Sequence, residues 1–192
     1  MAANPNFNIT PEEYLQIERE AEYKSEYIDG VMYAMAGGSP PHSLISGNAH
    51  NQISNQLRDS PCLVFNSDMK VRVPDSRKFF YPDVSVVCAN PEYDERESGV
   101  LINPLFITEV LSPSTAAYDR GKKFQWYQQI ESFREYILIA QDEPVIEQFV
   151  RQPSGSWLYT KVEGLDQGLK LTTINCRLEL KDIYAKVLFS EE

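Results

Sequence analysis

The sequence predicts a mixed α/β domain, an α+β arrangement with a mixed sheet, flanking helices and extra antiparallel strands near its C-terminus. Three observations predict it. Helical apolar spacing marks the segments 10–23, 40–57 and 119–131; from Cys62 the pattern shifts to period two; and the last third alternates strand patterns with turn residues. At 192 residues the chain is expected to be one domain, 1–192, large enough to bury a core without staples. A hydrophobic fraction of 42% with 11% aromatics excludes general disorder.

The first helix is expected from Thr10 to about Tyr23, with Pro11 at its first position and Glu13 closing a capping box. Glu26 to Met35 reads as a β-hairpin turning at Asp29-Gly30, a dipeptide suited to positive φ at both central positions. Gly37-Gly38-Ser39 closes that unit, and Ser39-Pro40-Pro41 opens a helix running to about Leu57. His42 falls in its first turn, where a capping or packing role is expected of it. Strands are predicted at 62–73, 79–88 and 105–111, with Asn90–Asn103 a polar loop. After a helix at 119–131, Arg134–Ala140 reads as a buried strand. Val145–Arg151 and Trp157–Val162 read as an antiparallel pair, Leu169–Leu180 as further strand, and Leu180–Leu188 as a short closing helix.

Charge and cysteine content narrow the function classes. A net charge of −10 argues against tight nonspecific DNA binding. The imbalance is uneven, however: residues 61–130 carry eight basic against nine acidic side chains, leaving room for a local basic surface. No apolar run is long enough to span a bilayer, so no membrane partner is expected. The N-terminus lacks the basic and apolar regions of a secretory signal. Cys62, Cys88 and Cys176 are odd in number and form no CxxC pair, which predicts reduced thiols in a cytoplasmic protein and neither disulfide nor zinc site.

The chemistry concentrates between Pro104 and Tyr127, PLFITEVLSPSTAAYDRGKKFQWY. Side chains of a strand alternate between faces, so Glu109 shares one with Leu105, Ile107 and Leu111, a costly place for an unpartnered charge. In the following helix, Phe124, Trp126, Tyr127 and Ile130 form an apolar stripe at about 100° per residue. Lys123 falls near the middle of that stripe and Lys122 well outside it. Lys123 is therefore a snorkelling or ion-paired lysine, or a functional one. Asp119, four residues before it, can pair with it or cap the helix, and capping is favoured. Upstream, Pro82 places Asp83 where a strand ends or distorts and a side chain can be aimed. Two carboxylates converging in a cleft repel unless a cation joins them; Mg²⁺ or Mn²⁺ does so through oxygen ligands. With a lysine beside them, Asp83 and Glu109 supply what metal-assisted phosphodiester hydrolysis needs.

Pro82-Asp83, Glu109-Val110-Leu111-Ser112-Pro113-Ser114, Asp119-Arg120-Gly121-Lys122-Lys123-Phe124 and Tyr127 resemble the Uma-type putative restriction endonucleases of the PD-(D/E)xK nuclease superfamily. The resemblance extends from Glu26-Tyr27-Ile28-Asp29-Gly30 through Arg134-Glu135-Tyr136 to the C-terminal strands. It implies a restriction-endonuclease-like core, a homodimer, metal-dependent cleavage of nucleic acid (DNA foremost), and Asp83 and Glu109 as ligands of Mg (or Mn). It also implies Glu26 as an auxiliary ligand, though a plain hairpin-end charge reads equally well there. The superfamily lysine lies two residues after the acidic residue on the same strand; here that position is Leu111, and the resemblance moves the role to Lys123. The expected function is a Mg-dependent endonuclease using Asp83, Glu109 and Lys123, with Glu26 assisting. The alternative is a catalytically silent nuclease-like module that binds nucleic acid or protein; a third reading makes Lys123 and its glutamate a structural ion pair.

Overall fold

A computed structural model describes residues 2–3 and 8–189; positions 1, 4–7 and 190–192 of the expected 1–192 unit lie outside them. A two-residue strand, β1 (Ala2–Ala3), precedes α1 (Pro11–Glu20). Thr10 caps α1 reciprocally: its hydroxyl accepts from the Glu13 N–H at 3.2 Å and Glu13 Oε2 accepts from the Thr10 N–H at 2.7 Å. Strands β2 (Ser25–Ile28) and β3 (Val31–Ala34) form the hairpin, with φ of 48° at Asp29 and 99° at Gly30. Helix α2 (Pro40–Gln56) starts on Ser39, whose hydroxyl accepts from the His42 N–H.

The two long strands expected at 62–73 and 79–88 are four: β4 (Cys62–Asn66), β5 (Lys70–Val73), β6 (Lys78–Phe80) and β7 (Val84–Cys88). The first break is a turn in which the Asn66 side chain accepts from the Asp68 N–H at 3.0 Å. The second is Tyr81-Pro82-Asp83, where proline cannot donate to a ladder. The segment 90–103, expected as loop, contains β8 (Tyr93–Asp94) and β9 (Glu97–Leu101). Its polar tip hid Val100 and Leu101, both fully buried where β9 runs parallel to β5. Strand β10 (Phe106–Leu111) leads to α3 (Ala116–Tyr118), a π-helical turn (Asp119–Lys123) and α4 (Phe124–Tyr127). Then follow β11 (Glu135–Ala140), β12 (Val145–Arg151), β13 (Trp157–Glu163), the hairpin β14 (Gly168–Leu171) and β15 (Cys176–Glu179), and α5 (Leu180–Ile183).

Two sheets dominate. One has the order β13-β12-β11-β10-β7-β4, with β10 parallel to β11 and every other pairing antiparallel. The other has the order β1-β3-β2-β6-β5-β9-β8. All six residues of β10 are buried, and its two faces meet different cores. Phe106 and Val110 pack with Ile45, Ala49 and Ile53 of α2 and with the C-terminal hairpin. Ile107 and Leu111 pack with Phe124, Tyr127 and Ile130 and with Val71, Val73 and Phe80 of the second sheet. Glu109 belongs to this second face, and so points between the two sheets.

The antiparallel pairing of β4 with β7 sets Cys62 opposite Cys88, Cα atoms 3.9 Å apart and joined by a disulfide. This corrects the expectation of three reduced thiols; only Cys176 is free among the described cysteines. Strand register, invisible in cysteine spacing, made the pair. No helix among the described residues is long and apolar enough to cross a membrane.

Helix α1 holds β2 in place, since the Tyr14 hydroxyl, buried beside Tyr27 and Phe79, donates to the Ser25 carbonyl at 2.7 Å. Thr10→Ala removes the cap and is expected to cost about 1 kcal/mol. Urea titration should show a lower midpoint with unchanged slope.

Candidate active site

Four elements deliver one cluster of charge. Glu26 comes from β2, Asp83 from the break before β7, Glu109 from β10, and Asp119 with Lys123 from the π-helical turn. A π turn inserts an extra residue into helical phase and is frequent at functional sites. Here Asp119 and Lys123 are buried while Lys122 stays exposed.

Lys123 is the hub. Its Nζ lies 2.8 Å from Glu109 Oε1, 2.9 Å from Glu26 Oε1 and 3.7 Å from Asp119 Oδ1. It also faces the rings of Phe80 at 5.7 Å and Tyr127 at 6.0 Å. Two phenols brace the acids: Tyr127 donates to Glu109 Oε1 at 3.0 Å and Tyr118 to Glu26 Oε2 at 3.2 Å. Tyr127, expected to pack, does so and also bonds. Asp119, expected to cap, instead turns its carboxylate towards Lys123; the helix start at Thr115 carries no side-chain cap bond. Leu111, in the usual lysine position, is buried in apolar contacts.

Asp83 is held from two sides. Its Oδ2 accepts the Val110 N–H at 2.7 Å and faces His42 Nε2 at 3.4 Å. The sequence offered no signal for that second contact beyond a histidine in a helix's first turn. His42 reaches the site because α2 packs across β7 and β10.

The electrostatics are lopsided. Glu26, Glu109 and Asp119 share one ammonium, and Asp83 adds a further carboxylate beside them. Burial pushes the Glu109 carboxyl well above the usual range despite the pull of Lys123, and raises Asp119 for the same reason. Burial disfavours the Lys123 charge, but Glu109, Glu26 and Asp119 outweigh it and hold its pKa well above that of a free amine. His42 is also raised: Asp83, at its Nε2, more than offsets its burial.

A hard divalent cation fits this donor set. Glu109 Oε2 and Asp83 Oδ1 carry no hydrogen bond from a described residue, and the cluster has more carboxylates than cations. No three His, Cys, Asp or Glu side chains among the described residues converge into a ready cage. A Mg²⁺ held by Asp83 and Glu109 would have to complete its shell with water and substrate phosphate.

The raised acids have a pH consequence. A carboxyl whose folded pKa is raised stabilises the fold fully below its unfolded value, 4.5 for Glu109, and loses that contribution as pH climbs through the raised value. Without divalent cation, the Glu109 contribution to wild-type stability is thus expected to decline as pH rises above 4.5. Glu109→Gln should flatten that decline in chemical denaturation measured at each pH. Lys123→Met, which leaves three buried carboxylates without their cation, is expected to cost roughly 3–5 kcal/mol at neutral pH.

Comparisons with known proteins bear on the family and the fold. A match to the Uma2 family, described as "Putative restriction endonuclease", spans residues 11–181. An uncharacterized protein of Synechocystis sp. (strain PCC 6803) is 36% identical over 181 residues, covering 94% of each chain. A second from the same organism is 35% identical over 156 residues, covering 81% of this chain and 88% of the relative. Among solved structures, one described as a putative nuclease belonging to DUF820, from Anabaena variabilis, superposes with a TM-score of 0.74 at 21% identity, over 94% of this chain and 99% of that one. With that match over nearly its whole folded length, the chain belongs to the Uma2 family and has a restriction-endonuclease-like fold.

Proposed function

We propose that the protein is a metal-dependent endonuclease that hydrolyses phosphodiester bonds in nucleic acid, DNA foremost. The observation that carries this reading is the surplus of buried carboxylate around Lys123, with one unbonded oxygen left on Asp83 and one on Glu109. Those two oxygens would hold Mg²⁺ or Mn²⁺. When bound, the ion polarises a phosphoryl oxygen and makes water more acidic.

The chain's own residues supply the rest. Val110 N–H and His42 Nε2 fix one oxygen of Asp83, which orients the other. Tyr127 does the same for Glu109 by occupying Oε1. Lys123, protonated throughout, places its Nζ beside Glu109, where it orients the attacking water or balances charge developing on the phosphate. Glu26 keeps the ammonium from collapsing wholly onto Glu109 and serves as an auxiliary carboxylate. A homodimer would present two such sites to the two strands of a duplex.

A second reading is favoured by the burial of the pair itself: Glu109 and Lys123 are each only 4% exposed and each satisfies the other. Under it the fold binds nucleic acid or protein without cutting, and Lys123 is a structural cation.

Plasmid nicking by purified protein in Mg²⁺, Mn²⁺ or EDTA tests the first reading. Metal-dependent nicking is expected in the wild type and absent from Asp83→Asn, Glu109→Gln and Lys123→Ala. Nicking that survives Asp83→Asn and Glu109→Gln together overturns the assignment. Calorimetric titration with Mn²⁺ separates the two readings. The nuclease should bind Mn²⁺, with affinity falling roughly 10- to 100-fold in His42→Ala and recovering in part in His42→Gln; the silent module should release no heat.

A further inference from the structure

A cavity of about 240 Å³ opens on the α1 face of the second sheet, whose opposite face carries Glu26 towards Lys123. It shares no lining residue with the carboxylate cluster and is a separate site. Five charged side chains line it: Glu18, Arg19, Asp68, Lys70 and Glu97. Three of them are matched, since Arg19 pairs with Glu97 at 3.1 Å and Asp68 pairs with Lys24. One ammonium and one carboxylate remain with unspent capacity.

Lys70 is 7% exposed and, among the described residues, has no acidic partner within ion-pair distance. Its Nζ sits between two aromatic rings, 5.0 Å from Tyr14 and 5.4 Å from Tyr81. The rings offset only part of what it costs to withdraw an ammonium from water, and burial lowers its pKa accordingly. Glu18 is half spent: Oε1 accepts from the Ser25 N–H at 3.0 Å and the Tyr81 hydroxyl at 2.8 Å, while Oε2 is buried with no partner. The two groups lie too far apart to pair, yet the Glu18 charge still acts on the ammonium. A ligand between them can satisfy both.

The charges around the cavity select its chemistry. A free anion answers Lys70 but meets Glu18, Asp68 and Glu97. A free cation answers Glu18 but meets Lys70, Arg19 and Lys24. A neutral amide avoids both conflicts and forgoes the stronger, charge-assisted bonds that each group can make. A zwitterion whose carboxylate and ammonium sit close together makes both bonds and leaves the local charge balance unchanged. The volume lies under the roughly 300–1,000 Å³ of sites for drug-sized ligands, so only a short side chain is admitted.

We propose that this cavity binds a small zwitterion, an α-amino acid with a short side chain such as glycine or alanine, with its carboxylate on Lys70 Nζ and its ammonium on Glu18 Oε2. The site stands apart from the nuclease reading and does not require it. Glu18 belongs to α1, Lys70 to β5, and Tyr81 directly follows β6, so an occupant ties the helix to the sheet beneath it. A ligand held only by this folded arrangement stabilises the protein by mass action.

Isothermal titration of the full-length protein with glycine and with L-alanine reads the site. Acetate, methylammonium chloride and L-tryptophan, at matched ionic strength, are the controls. Glycine and alanine are expected to give saturable heat with a Kd of about 1 mM or tighter, and to raise the melting temperature; the three controls should do neither. Lys70→Met and Glu18→Gln should each weaken glycine binding about tenfold or more. Both variants are expected to fold. Lys70→Met removes a buried, unpaired charge and should melt at or above the wild type without ligand. Glu18→Gln keeps a side-chain oxygen for the Ser25 N–H and the Tyr81 hydroxyl. The proposal is overturned by acetate binding as tightly as glycine, by glycine binding that survives Lys70→Met, or by no heat from either amino acid, the last meaning that the cavity holds ordered water only. Nicking enters none of these readouts, so this proposal and the nuclease reading fail separately.

Discussion

Everything near the site depends on one buried ammonium. Lys123 Nζ is within 3 Å of carboxylates from two different elements, β2 and β10, and within 4 Å of a third from its own turn. Placing that many charges in an interior is tolerable only because each is paired or hydrogen-bonded. The aromatic residues around it follow from the same need. Phe80, Tyr118 and Tyr127 exclude water, supply hydroxyl donors to the acids and offer ring faces to the cation. The cluster ties a strand of one sheet, β2, to a strand of the other, β10, across the apolar core between them.

How far the site could be read from sequence depended on whether a residue's anomaly was local. Glu109 and Lys123 each break an apolar period inside their own segment, and the structure brings them to 2.8 Å. Asp83 was flagged by the proline before it. His42 shows no local anomaly, because its partner is set by how α2 packs across the sheet. The Cys62–Cys88 pair likewise exists only through strand register. The segment 90–103 misled because Asp94 looks like loop chemistry, yet it lies buried against Arg72 and Arg96, which anchor β8. Asp119 misled for another reason: a helix-start acid is usually a cap, but an inserted π turn rotated this one inward. The general layout was legible because helical and strand periods were clean over long segments.

The net charge of −10 looks unsuited to a polyanionic partner until burial is considered. Seven acidic side chains are buried among the described residues, out of 28 in the sequence, against two basic ones out of 18. The surface imbalance is therefore about half of what composition suggests. A quarter of the acidic side chains lie in the interior, at the site, at Asp94 and in the Glu147–Arg120 and Glu135–Gln148 contacts.

Moving the lysine off the strand changes what can come apart. In β10 the position two after Glu109 is free to be leucine, so the strand is apolar on both faces apart from Glu109 and Thr108 and is buried along its whole length. Lys123 arrives instead on a short, irregular helical segment of three, five and four residues. Elements of that kind open more readily than a central strand. The cation and the carboxylates it neutralises thus belong to units of unequal local stability. A transient loosening of the helix would withdraw the ammonium together with Asp119 and leave Glu26 and Glu109 fixed on their strands, so the integrity of the site is set by its least cooperative part.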